Sequence, residues 1–143
     1  MPEFRLALEF QGGAWAYTEP FSVGILLRNL EPSGSTWTTS RPDWRVIVEA
    51  IIRLEVLPRD IAEKLHHELV DSGLSMEQCR TVARGLRNSV LADMQPDELL
   101  YMNGERLHES EVVLMELGCE YSTNADVLTG FVTFCESCDG FRI

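Results

Sequence analysis

Cys135-Glu136-Ser137-Cys138 sets two thiols at the spacing at which a pair of thiolates holds one metal ion or cycles between dithiol and disulfide. A structural zinc site needs four ligands. Cys119 upstream would supply a third, and Cys79, His108 or His66 a fourth. The second Cys-x-x-Cys of a zinc ribbon is missing. A thioredoxin-type motif follows a strand and opens a helix, whereas this one falls where a helix is expected to end. There the negative end of the helix dipole raises thiol pKa and blunts reactivity. Against both chemistries stands the common behaviour of a free cysteine as a small buried hydrophobe. No metal or other cofactor is therefore expected in the isolated protein. Zinc or thiol-redox chemistry on Cys119, Cys135 and Cys138 is kept as the alternative.

Other chemistry-bearing residues lack a recognisable frame. His66-His67-Glu68 is not the His-Glu-x-x-His zinc signature, and Glu63, His67 and Asp71 at steps of four read as exposed helical pairs. His108-Glu109 has no partner at a known spacing. The chain holds no phosphate-binding Gly-x-x-x-x-Gly-Lys, no Gly-x-Gly-x-x-Gly and no Gly-x-Ser-x-Gly elbow. Arg80, Arg84 and Arg87 line one helical face and could bind phosphates. The charge of the whole chain opposes this, and pairing with the protein's own acids is the favoured reading. An enzyme whose site carries no known motif is a further alternative.

The 143 residues carry 23 Asp and Glu against 12 Lys and Arg, a net charge of −11. From Asp93 to Ile143 there are 11 acids and only two bases, Arg106 and Arg142, a net of −9. A field of that sign repels nucleic acid and anionic membrane and speeds encounter with basic partners. With 45% hydrophobic residues the chain can build a core without disulfides, so one domain over residues 1–143 is expected. No apolar run approaches the ~18 residues of a membrane span. The first ten residues are interrupted by Glu3, Arg5 and Glu9, unlike a secretory signal. A cytoplasmic location is therefore expected, and in such a chain the four cysteines are expected as free thiols or metal ligands rather than disulfides.

The elements that would position these residues are mixed. Phe4, Leu6, Leu8 and Phe10 alternate with polar residues, and Gly12-Gly13 can turn the chain, which predicts an N-terminal β-hairpin over about 3–18. Residues 20–30 read as a short helix and 31–40 as a loop that carries Trp37. Trp37 either folds back on the core or anchors a partner. Ser40 caps a helix with Trp44, Ile47, Val48, Ile51 and Leu54 inward, and Pro58 ends it or opens the next. A second helix is expected over 59–72, stopped by Gly73. Ser75 and Gln78 form a capping box for a third, which has Cys79, Val82, Ala83, Leu86 and Val90 as its stripe. Beyond Met94 a helical turn is expected at 96–101 and a turn at Asn103-Gly104. A helix is expected over 109–117. Residues 124–138 are read as a helix capped by Asn124, with Val127, Phe131, Phe134 and Cys138 on one face and Thr129, Thr133 and Glu136 opposite, although Phe131-Val132-Thr133-Phe134 also suits a strand, and a short tail follows.

The fold expected is thus α+β and predominantly helical: an N-terminal β-hairpin packed on a three-helix core, with further helices in an acidic C-terminal third. The function expected is that of a non-enzymatic acidic protein that sequesters or inhibits a basic protein partner, as immunity proteins and nucleic-acid mimics do. This rests on class analogy and on no motif. The contacting residues would be Glu105, Glu109, Glu111, Glu116 and Glu120, flanked by Asp97 and Glu98, with Trp37 as an apolar anchor. A solvated acidic face that only aids solubility is the plainer alternative.

Overall fold

A computed structural model describes residues 24–30, 34–67, 72–108 and 121–143. The expected hairpin over 3–18 and helix over 109–117 lie outside these residues. The fold is α+β, as the sequence suggested. The chain runs β1 (Ile25–Asn29), β2 (Thr36–Thr39), α1 (Arg41–Leu54), α2 (Arg59–Lys64), β3 (Gly73–Ser75), α3 (Met76–Ser89), β4 (Glu98–Tyr101), β5 (Arg106–His108), β6 (Ser122–Asn124), α4 (Ala125–Ser137) and β7 (Gly140–Arg142). Short 3-10 turns at Leu65–His67 and Leu91–Asp93 follow α2 and α3.

The helices with complete sequence signals form as read. Ser40 Oγ accepts the Asp43 N–H at 3.2 Å, which satisfies one of the free donors at the start of α1. Trp44, Ile47, Val48 and Ile51 are fully buried on its inner face. Ser75 and Gln78 close a reciprocal capping box on α3, and Asn124 Oδ1 accepts the Val127 N–H at 2.8 Å to start α4. Pro58 stands immediately before α2. Helix α4 buries Leu128, Phe131, Val132, Phe134 and Cys135, a wider face than the sequence stripe implied, while Thr129, Thr133 and Glu136 stay exposed.

The strands correct the sequence reading in five places. Residues 25–29, expected as part of a helix over 20–30, form β1, with Ile25 and Leu27 buried and Arg28 exposed. A short apolar run fits either period, and pairing on both sides decides it here. The expected loop holds β2, where Trp37 and three threonines have the shape that a pleated surface favours. Gly73 does not stop the helix over 59–72. Its helical part ends at Lys64 and continues as a 3-10 turn, and Gly73 opens β3 beside Phe141, whose carbonyl oxygen would stand 2.0 Å from any Cβ added there. Residues 98–101, expected to be helical, are β4. The expected tail is β7, a central strand.

Among the described residues the strands form two antiparallel sheets. The larger has the order β2-β1-β7-β3, with Leu27 opposite Trp37, Asn29 opposite Phe141 and Leu74 opposite Phe141 from the other side. The smaller has the order β5-β4-β6, with Glu98 opposite His108 and Tyr101 opposite Ser122. Phe141 of β7 meets the helices in an aromatic cluster. Trp44 and Phe131 lie edge-on at 5.7 Å, Trp44 and Phe141 at 6.4 Å, and Phe131 and Phe141 at 6.3 Å. Such edge-to-face contacts add to the area these rings bury. The Trp44 indole N–H donates to the Leu65 carbonyl at 2.9 Å, so its one polar atom is satisfied inside the core.

Candidate functional site

The packing of α3 on α4 gathers three of the four cysteines. Cys79 lies in the first turns of α3, and Cys135 and Cys138 at the C-terminal end of α4. All three are free and fully buried. The Cys138 and Cys79 sulfurs are 3.7 Å apart. Arg80, next to Cys79, donates from Nη1 to the carbonyls of Cys135 at 2.6 Å and Cys138 at 2.8 Å. It thereby caps carbonyls that have no partner within α4 and places a cation at the negative helix end.

The thiols titrate as a group. The hydrogen bond to Cys79, then burial, holds the Cys135 thiol well above its ordinary range. Burial, reinforced by the neighbouring Cys79, pushes Cys138 up to about 11. Cys79 is lowered, chiefly because it accepts the Cys135 hydrogen bond. The two thiols of the Cys-x-x-Cys pair are thus both held above the ordinary range. Among the described residues, no group of three or more His, Cys, Asp or Glu is arranged to hold a metal ion. Cys119 lies outside the described residues. His66 pairs with Glu49 of α1 at 2.9 Å through Nε2.

The basic stripe of α3 turns toward α4. Arg87 holds Glu136 with two parallel hydrogen bonds, Nε–H to Oε2 at 2.8 Å and Nη2–H to Oε1 at 2.9 Å, and the guanidinium lowers the Glu136 pKa. Arg80 is occupied by the α4 carbonyls. Among the described residues, Arg84 alone of the three is exposed without a partner of this kind.

The acids are divided. Glu105 is exposed in the β4–β5 turn, where its N–H is held by Asn103 Oδ1 at 2.9 Å, and Asp97 is exposed before β4. Glu98 is half-buried and its Oε1 accepts the Gln95 N–H at 2.9 Å. Glu109, Glu111, Glu116 and Glu120 lie outside the described residues, but both flanks of their segment are fixed. His108 ends β5 and Ser122 begins β6, on either side of β4. Trp37 is half-buried, 5.6 Å from the Phe131 ring and tight against Gly130.

One arrangement has no precursor in the sequence reading. A cleft of about 130 Å³ opens between α1, the end of α3 and the β4–β5 turn, lined by Arg53 and Arg106 over an apolar floor that includes Ala50, Leu54, Val90 and Leu100. Arg53 donates from Nη2 to the Met102 carbonyl, and Arg106 from Nη1 to the Val90 carbonyl at 3.1 Å. The two arginines come from elements far apart in the chain. The sole hint was Arg106 as one of two bases in the acidic third. No protein-family model, curated protein or solved structure matches the chain.

Proposed function

We propose that the protein is a non-enzymatic binding protein that captures a basic protein partner, in the manner of an immunity protein or inhibitor. The supporting observation is the anchoring of the acidic stretch. The segment carrying Glu109, Glu111, Glu116 and Glu120 leaves and rejoins one small sheet, which also presents Glu105 and lies next to Asp97. A charged segment fixed at both ends loses less freedom on binding than a free tail. The Arg80 and Arg87 groups that could have answered this charge are bound to α4. The reading takes residues 1–143 as one domain acting in the cytoplasm, with its N-terminal hairpin on the helical core and Trp37 as an apolar anchor.

The test starts from a partner recovered by pull-down, followed by surface plasmon resonance at two salt concentrations. Reversing Glu105, Glu109 and Glu111 to Lys changes the local charge by six units. The on-rate should fall about tenfold or more, and raising salt should slow the unmodified protein, because screening shortens the field to about 8 Å at physiological ionic strength. On-rates indifferent to both salt and charge reversal would reduce the acids to a solubilising role.

A second reading is a zinc-binding or thiol-redox protein using Cys119, Cys135 and Cys138, and the 3.7 Å approach of Cys79 to Cys138 favours its thiol form. Stoichiometric zinc in the purified protein, lost in the Cys135→Ser/Cys138→Ser variant, would establish it over the first. The first reading expects none.

A further inference from the structure

We propose that the cleft between α1, α3 and the β4–β5 turn binds a small free oxyanion, a carboxylate or a phosphate, through Arg53 and Arg106. Two guanidiniums share one recess of about 130 Å³, and among the described residues no Asp or Glu lines it. Two other arginines are paired with acids, Arg59 with Glu63 at 2.7 Å and Arg87 with Glu136 at 2.8 Å. Arg53 and Arg106 form no such ion pair among the described residues, although the chain carries 23 acidic residues.

Both are positioned in a way that leaves donors available. Each side chain is tied by one hydrogen bond to a backbone carbonyl, Met102 for Arg53 and Val90 for Arg106. A guanidinium has five N–H donors, so each tether fixes the fork and leaves the others for a ligand. Gly104 makes room for this. Its φ of +92° suits glycine, and an added Cβ would stand 3.3 Å from Arg53 Nε and 3.4 Å from its Cδ. Like charges in one partly enclosed recess repel, and a bound anion relieves that repulsion while accepting paired N–H bonds.

The cleft, partly open and about 130 Å³, has room for one carboxylate or phosphate group over its apolar floor.

Amide NMR titration of the full chain tests it, with inorganic phosphate and succinate as separate probes at constant chloride. Expected are saturable shifts centred on Arg53, Ser89, Tyr101 and Gly104, with a millimolar or tighter Kd for at least one probe. A response to phosphate alone assigns a phosphate site, and one to succinate alone a carboxylate site. Arg53→Gln and Arg106→Gln should each weaken binding about tenfold or more, and Arg84→Gln, an exposed arginine on α3, should leave it unchanged. Arg53→Lys and Arg106→Lys, which keep the charge and lose the fork, cover the case in which a Gln variant does not fold. They should weaken binding as well. Unsaturable shifts with both probes, shifts centred elsewhere, or variants that bind like the parent would overturn the proposal.

Discussion

At the scale of single residues, the core makes sharp demands. Ile51 is fully buried on α1, so Ile51→Ala should cost about 2–5 kcal/mol in denaturant unfolding, the range for a large aliphatic side chain removed from a packed site. Trp44→Phe is a finer probe. It keeps most of the ring contacts with Phe131 and Phe141 but strands the Leu65 carbonyl in the interior. A cost of about 1–3 kcal/mol is expected, set by the unpaired acceptor rather than by lost area. The thiols add a pH signature. Cys138 keeps its proton up to about 11 in the folded protein, against 9.0 for the ordinary thiol. Between those values the unfolded chain binds fewer protons than the folded one, so stability is full below about 9 and falls as pH rises through the window. Cys135, also raised, acts in the same direction, and Cys79, lowered, acts against it. The fall should be shallower in Cys138→Ala, measured by urea unfolding at pH 8, 9 and 10. Equal slopes in the two proteins would mean that Cys138 is not held protonated.

At the scale of elements, legibility followed local chemistry. Helices α1 and α3 were readable because each carries its start signal within four residues, Ser40 with Asp43 and Ser75 with Gln78, whereas α4 had Asn124 as a cap but a Phe-Val-Thr-Phe run that suited a strand equally. The strands carried no comparable mark. At three to five residues they are too short for a period of two to separate from a period of 3.6. Strand β7 has only Gly-Phe-Arg, and β1 was indistinguishable from a buried helical turn until its two neighbours paired with it. The candidate sites divide in the same way. Cys135 and Cys138 announce themselves by spacing, whereas Arg53 and Arg106 meet only because α1 and the β4–β5 turn pack together, and backbone carbonyls without sequence identity hold them. The α3–α4 pair is itself testable. Arg80→Met removes a charged donor from two α4 carbonyls while keeping much of its apolar stem. About 1–3 kcal/mol should be lost, with α4 amides near Cys135 gaining hydrogen exchange first.

At the scale of the whole molecule, charge and scaffold are partly separated. Of the 23 acids, 13 fall in the described residues, along with 11 of the 12 Lys and Arg, a net of −2 there against −11 for the chain. The sum was legible in composition, but its distribution over the folded elements was not. Self-repulsion at −11 should outweigh the gain from the exposed Arg87–Glu136 pair, since isolated surface pairs contribute little and are screened by salt. The melting temperature should therefore rise as sodium chloride is increased from about 10 to 150 mM, over which the screening length falls from about 30 to 8 Å. A melting temperature that falls over this range would mean that favourable pairs dominate.

The central place of β7 also sets a clock. Asp139 donates to Asn29, a residue 110 positions earlier, and β7 then fills the gap between β1 and β3. At synthesis rates of about 5–20 residues per second, roughly 6–22 seconds separate the making of Asn29 from the making of Asp139. Throughout that interval the inner edge of β1 has no strand to receive it, and unpaired edges are where nascent chains associate with one another. The larger sheet is therefore assembled late in the life of each newly made molecule, and any slowing of translation lengthens the period in which β1 must be shielded.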